Sequence, residues 1–185
     1  MKNLYNISYL FFAVIFIGCS SSVDIQKTGA GNIPEWYLNV PSDPQYLYAS
    51  NTAASQDMQL SIDKATVSAR TEIASQLEVK LASRTKLFQE EVGQGELGTV
   101  LEQFSVATKT VVSQVMNGTT PSKKELVKDG DNWRAYVLIA YPLGAANQAL
   151  MNQIKQNKAL YTEFKATKAF EELEKDVKEY ESKQK

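Results

Sequence analysis

The sequence predicts an α+β fold: a small antiparallel sheet of about three strands covered by helices, with a long C-terminal helix. Three observations predict it. Apolar residues recur every three or four positions in two long segments, the period of a helix that buries one face. Between residues 122 and 141 two runs alternate, with Asp129-Gly130-Asp131-Asn132 between them as a hairpin turn. After Pro142-Leu143-Gly144 the pattern is helical again, almost to the end of the chain.

In chain order, the first element is an apolar run from Tyr9 to Ile17, preceded by Lys2. It is much shorter than the roughly 20 residues that a transmembrane helix needs. Its length fits the apolar part of a secretory signal. Gly18 and Cys19 follow it, and Cys19 is the only cysteine among 185 residues. Phe16-Ile17-Gly18-Cys19 resembles the lipobox of bacterial lipoproteins. That resemblance implies a diacylglyceryl group on the Cys19 sulfur, cleavage just before Cys19 and acylation of the new amino group. Several acyl chains anchor a protein stably, because each buried CH₂ adds about 0.8 kcal/mol. The expected state is therefore anchored to a membrane without spanning it.

Cleavage takes 18 of the 185 residues and one charged side chain, Lys2, so 167 residues remain and the net charge moves from −1 to −2. A nearly neutral chain carries no basic excess to suggest a nucleic-acid partner. With no second cysteine, an internal disulfide is excluded. The chain has no histidine. That removes Ser-His-Asp and Cys-His catalysis, histidine metal ligands and the usual near-neutral proton carrier.

Residues 20–32 are small and polar with two glycines and read as a flexible tether. Thirteen residues of this kind span roughly 20 Å, enough to hold a domain just off a lipid surface. The domain opens at Pro34-Glu35-Trp36-Tyr37, and Pro41 and Pro44 keep the entry extended. Residues 45–50, QYLYAS, read as a short strand. From Asp57 the period lengthens: Met58, Ile62, Ala65, Ala69, Ile73, Leu77 and Leu81 mark one helical face. Ser55 or Gln56 is the expected cap, and helix potential fails around Gly93-Gln94-Gly95.

The second helix is expected from Leu97 to Val115, ending at Asn117-Gly118. Strands over 122–128 and 133–141 follow. The second is apolar on both faces and is expected at the centre of the sheet. In the last segment Leu150, Ile154, Leu160, Phe164, Phe170, Leu173, Val177 and Tyr180 form a narrow stripe, interrupted by Thr167. Such a seam either covers the domain's own core or is what one helix offers another, so self-association through it is expected. The organisation predicted is a signal peptide over 1–18, a tether over 19–32, an α+β lipoprotein domain over 33–155 and a charged C-terminal helix over 156–185.

Several motifs resemble chemistry without its context. GQGELG at 93–98 matches G-x-G-x-x-G, but the segment before it is helical and position 118, where an acid is needed, is glycine. Ser61/Lys64 and Ser83/Lys86 match S-x-x-K, yet Lys27-Thr28-Gly29 lies upstream of both and no S-D-N element is present. The pairs Glu90/Glu91 and Glu96/Glu102 have no apolar setting to split their pKa values.

Taken together, Cys19, Pro34-Glu35-Trp36, the strand near Tyr46–Ser50, Ala65-Thr66-Val67-Ser68-Ala69-Arg70 and the strand Trp133-Arg134-Ala135-Tyr136-Val137-Leu138 resemble the LPP-twenty family of small bacterial outer-membrane lipoproteins. Where many members have a glycine-containing strand end, this chain reads Ala49-Ser50-Asn51. The resemblance implies a lipid-anchored envelope module without catalytic residues or cofactors. It also implies a periplasmic-facing domain on the outer membrane, consistent with Ser20 where an aspartate would favour retention at the inner membrane. Its expected partners are the membrane and other envelope proteins or a second copy of itself. The alternative is a periplasmic binding protein for a small apolar or lipid-like ligand.

Overall fold

A computed structural model describes residues 33–93 and 98–184. The chain order is α1 Glu35–Leu38, β1 Tyr46–Ser55, α2 Met58–Val92, α3 Gly98–Gly118, β2 Lys123–Asp129, β3 Asn132–Pro142, α4 Leu143–Gln156, α5 Lys158–Phe164 and α6 Lys168–Ser182. The sheet is antiparallel with order β1-β3-β2, so the strand that is apolar on both faces is central, as its composition requires. The fold is α+β. The hairpin closes with Asp129 opposite Asn132, and Gly130 takes φ +59°, a conformation that its missing Cβ makes cheap.

β1 extends well past the short strand that its aromatic run predicts. Asn51 to Ser55 pair with Val137 to Trp133, and the Thr52 hydroxyl donates to the Ala135 carbonyl at 2.9 Å. Apart from Thr52 these residues are weak strand formers, and the strong neighbour β3 supplies the order. α2 opens at Asp57, not at Ser55 or Gln56. The Asp57 carboxylate accepts from the Leu60 amide at 2.7 Å, while the Ser55 hydroxyl accepts from the Asp57 amide at 3.2 Å. At the far end Gly93 caps α2 with φ +76°.

α2 lies across the inner face of the sheet and then continues past the sheet's edge. With 35 residues it is about 50 Å long, longer than the ten-residue strand it crosses. Ala65, Ala69, Ile73 and Leu77 are buried on its sheet side, in one cluster with Ala49, Val137 and Ile139. Gln76 donates to the Tyr48 carbonyl at 2.9 Å, which marks where the helix leaves the sheet. Beyond that point its neighbours are α3 and the C-terminal helices. Phe88, Phe104 and Phe164 meet there with ring centroids 4.9–5.2 Å apart.

The continuous helix expected after Gly144 is divided into three. Asn157 caps α5 by accepting from the Leu160 amide at 3.1 Å. Thr167, the interruption in the stripe, caps α6: its hydroxyl accepts from the Phe170 amide at 3.2 Å and donates to the Phe164 carbonyl at 2.6 Å. The reason for the breaks is packing. A straight helix would carry the stripe off into solvent, whereas two turns fold α6 back against α4 and α2. Leu160, Phe164, Ala169, Leu173 and Val177 are buried in the same core as the sheet residues. The seam expected to self-associate is thus covered by the molecule's own helices.

Candidate functional site

The one site residue expected from sequence, Cys19, lies outside the described residues, as do the signal, the tether and most of GQGELG. The remaining chemistry-like motifs have structural roles. The Ser61 hydroxyl is buried and donates to the Met58 carbonyl at 2.7 Å, and that of Ser83 donates to the Val79 carbonyl at 3.2 Å. Glu90 pairs with Lys86 at 3.8 Å on the surface. Glu91 accepts from the Lys168 amide at 2.6 Å, where a carboxylate suits the start of α6. Among the described residues no group of three or more Cys, Asp or Glu is arranged to hold a metal ion.

Polar side chains also converge between α2, α4 and α6. Arg84 of α2 holds Asp176 of α6 at 2.9 Å, and Asn147 of α4 donates to the same carboxylate at 3.2 Å. This cluster ties three helices together beside a cleft of about 360 Å³ bounded by α4, α6 and residues 44–46. Gly144 is required at that cleft, because a Cβ there would overlap the Tyr180 ring. Burial pushes the hydroxyl pKa of Tyr136 up, with Arg134 opposing, and burial also raises that of Tyr141, helped by Tyr180. Both shifts keep the phenols neutral, which is the setting of packing groups rather than of proton carriers at neutral pH.

A groove of about 500 Å³ runs between α2 and α3. Residues 78–89 run beside 105–117, about three helical turns. Leu81, Ala82, Val112 and Met116 line it, with Glu78, Lys86 and Lys109 among its polar groups. Val79 and Val106, on the same helices, are 66% and 58% exposed. The opposite sides of α2 and α3 face the core, through Leu77, Phe88, Phe104 and Val111. Glu78, Ala82 and Gln89 stand roughly half a turn round α2 from Ala69, at about 100° per residue. The groove therefore faces away from the sheet.

Sequence periodicity missed this groove because it follows the stripe that is buried. The signal it had was the pair of valines off that stripe, at 79 and 106, with Met116 beyond them. The chain matches no protein-family model, no curated protein and no solved structure. Among the described residues no helix is long and apolar enough to cross a membrane.

Proposed function

We propose that this chain is a lipid-anchored envelope protein of the LPP-twenty type, a non-enzymatic module that holds a partner protein in the α2–α3 groove. The groove is the observation that carries the reading. It is long, with Leu81, Ala82, Val112 and Met116 set among a mostly polar lining, and Val79 and Val106 are exposed on the same two helices. A helix or extended segment with apolar side chains in register fits such a surface, with acidic groups to meet Lys86 and Lys109. A small ligand is a poorer match, because ligand sites enclose most of the molecule they bind and this groove is open along its length. The lipid anchor rests on Phe16-Ile17-Gly18-Cys19, and the outer-membrane placement on Ser20.

Two measurements test the two parts. Intact mass of the mature protein from membranes is expected to show cleavage before Cys19 and the added acyl chains, and Cys19→Ser to leave an unprocessed or soluble chain. A mature protein without lipid ends the anchor reading. For the groove, a photo-crosslinking side chain at Met116 is expected to give a discrete adduct in the envelope that Ala82→Arg abolishes. The same group at exposed Asn152 on α4 should not give it. Equal adducts from both positions would remove the groove from consideration, and an adduct of lipid mass would move the reading to the ligand-binding alternative.

A further inference from the structure

The two faces of the sheet are covered very differently. The inner face lies under α2. Among the described residues the outer face carries one helix, α1, one turn long, and Tyr136 and Leu138 at its centre are 4% and 2% exposed; the turn is held by the buried Pro34 and by Tyr37, whose ring meets Tyr136 edge-on at 4.9 Å. The register puts Tyr46, Tyr48, Tyr136 and Leu138 on this outer side, since Leu47, Val137 and Ile139 are buried on the inner one. Around the pinned turn, apolar side chains are left in the open. Leu38 is 44% exposed and Val40 40%, with Trp36 half-buried, and Tyr46, 41% exposed, lies further along the sheet, opposite Pro142.

This patch lies where the tether joins. Residues 20–32 run directly into Ile33 and Pro34, and their expected span of roughly 20 Å keeps the patch within reach of whatever surface holds Cys19. Trp and Tyr with one apolar and one polar end suit the boundary between headgroups and acyl chains. Charges of both signs lie nearby: Glu35 and Asp43 are exposed in the same stretch of chain, and Lys123 is exposed opposite Leu138 on β2. A headgroup layer accepts such a rim and hydrocarbon does not, so the contact is shallow.

We infer that α1 and the outer sheet edge, through Trp36, Leu38, Val40 and Tyr46, rest on the phospholipid surface that carries the anchor, and so orient the domain with the α2–α3 groove facing away from the membrane. Few side chains take part, and alone they would bind weakly. The tether supplies the local concentration that makes a weak contact persist. The inference rests on the lipid-anchor reading, and it adds a fixed orientation that an anchor on a flexible tether does not by itself provide.

The test uses the mature chain, residues 19–185, with its single cysteine coupled to a maleimide phospholipid in vesicles of phosphatidylethanolamine and phosphatidylglycerol. Coupling through chemistry makes this test independent of whether the cell acylates Cys19, which the intact mass decides separately. The chain has two tryptophans, Trp36 and Trp133. With Trp133→Phe, the fluorescence of Trp36 is expected to shift to the blue on coupling and to be quenched by bromine placed high on the acyl chains. With Trp36→Phe, the remaining Trp133 is expected to be quenched several-fold less. Leu38→Asp, at an exposed position, should bring Trp36 quenching down to the Trp133 level while leaving the circular dichroism unchanged. Equal quenching of the two tryptophans overturns the inference, because the domain then has no preferred face. A blue shift of Trp36 that grows with protein concentration without vesicles also overturns it, because the patch is then covered by a second copy.

Discussion

Over the sheet, α2 presents Ala65 and Ala69; beyond the sheet's edge the same helix presents Leu81 and Phe88. Both stretches are fully buried, so the difference is one of geometry and not of exposure. A sheet offers a broad face, and small side chains let a helix backbone come close to it while Ile139 and Val137 fill the space from the strands. Where α2 leaves the sheet, its neighbours are cylinders that leave a wider gap between them. Three phenylalanine rings from α2, α3 and α5 close that gap. One helix thus serves two cores, and each has a characteristic way of failing. At Ala65 and Ala69 the sheet half should resist gain of volume, and at Phe88 the helical half should resist its loss.

The largest expected effect is in the helical half. Phe88→Ala removes the ring that touches both Phe104 and Phe164, and should cost about 3–5 kcal/mol, read from the urea midpoint and slope. Hydrogen exchange sharpens the comparison. If the two halves are separable, amides of β1 and β3 should remain protected in this variant while those of α5 and α6 lose protection. Uniform loss would show one cooperative unit. In the sheet half, Ala69→Leu should cost about 1–3 kcal/mol by overpacking. An unchanged midpoint there would mean that the helix can rise off the sheet, which removes the argument from close approach.

Thr167→Ala should cost about 1 kcal/mol, since it deletes the α6 cap. Its exchange signature should be confined to α5 and α6, because the sheet half makes no use of that turn. The smallest effects are alkaline. Burial raises Tyr136 and Tyr141 above the ordinary 10.0 in the folded state. Below about pH 10 the phenols are neutral in both states and cost nothing. As pH rises from there toward the folded values, the unfolded chain releases protons that the folded chain retains, and stability falls. Denaturant midpoints measured across that range should fall less for Tyr136→Phe, in the sheet half, and for Tyr141→Phe, at the junction with α4. If neither variant flattens the fall, other groups cause it.

The C-terminal segment shows how a correct pattern can give the wrong shape. The stripe from Leu150 to Val177 is apolar as periodicity indicates, and most of it is buried. Periodicity along one axis does not say whether that axis bends. Asn157 and Thr167 carried the local signs, each a good capping residue inside a helical run, and the role of Thr167 depends on Phe164 having a place beside Phe88 and Phe104. The same holds for Gly144, whose need for no side chain is set by Tyr180, far along the chain on α6.

By itself the sequence determined the α+β class, the central position of β3, the hairpin at Gly130 and the burial of Ala65 and Ala69, because period and turn chemistry are local properties. It is also the whole basis for expecting a lipid on Cys19, a matter of covalent processing that folding does not alter. Tertiary structure alone decided the length of β1, whose later residues, Asn51 to Ser55, are ordered by their neighbour. It decided the folding back of α6, which covers a seam that would otherwise offer itself to a partner. It also decided the α2–α3 groove and the exposed apolar rim beside α1. Each of these is a surface left over once two elements have packed, and how much surface is left depends on how they meet rather than on either one's own pattern.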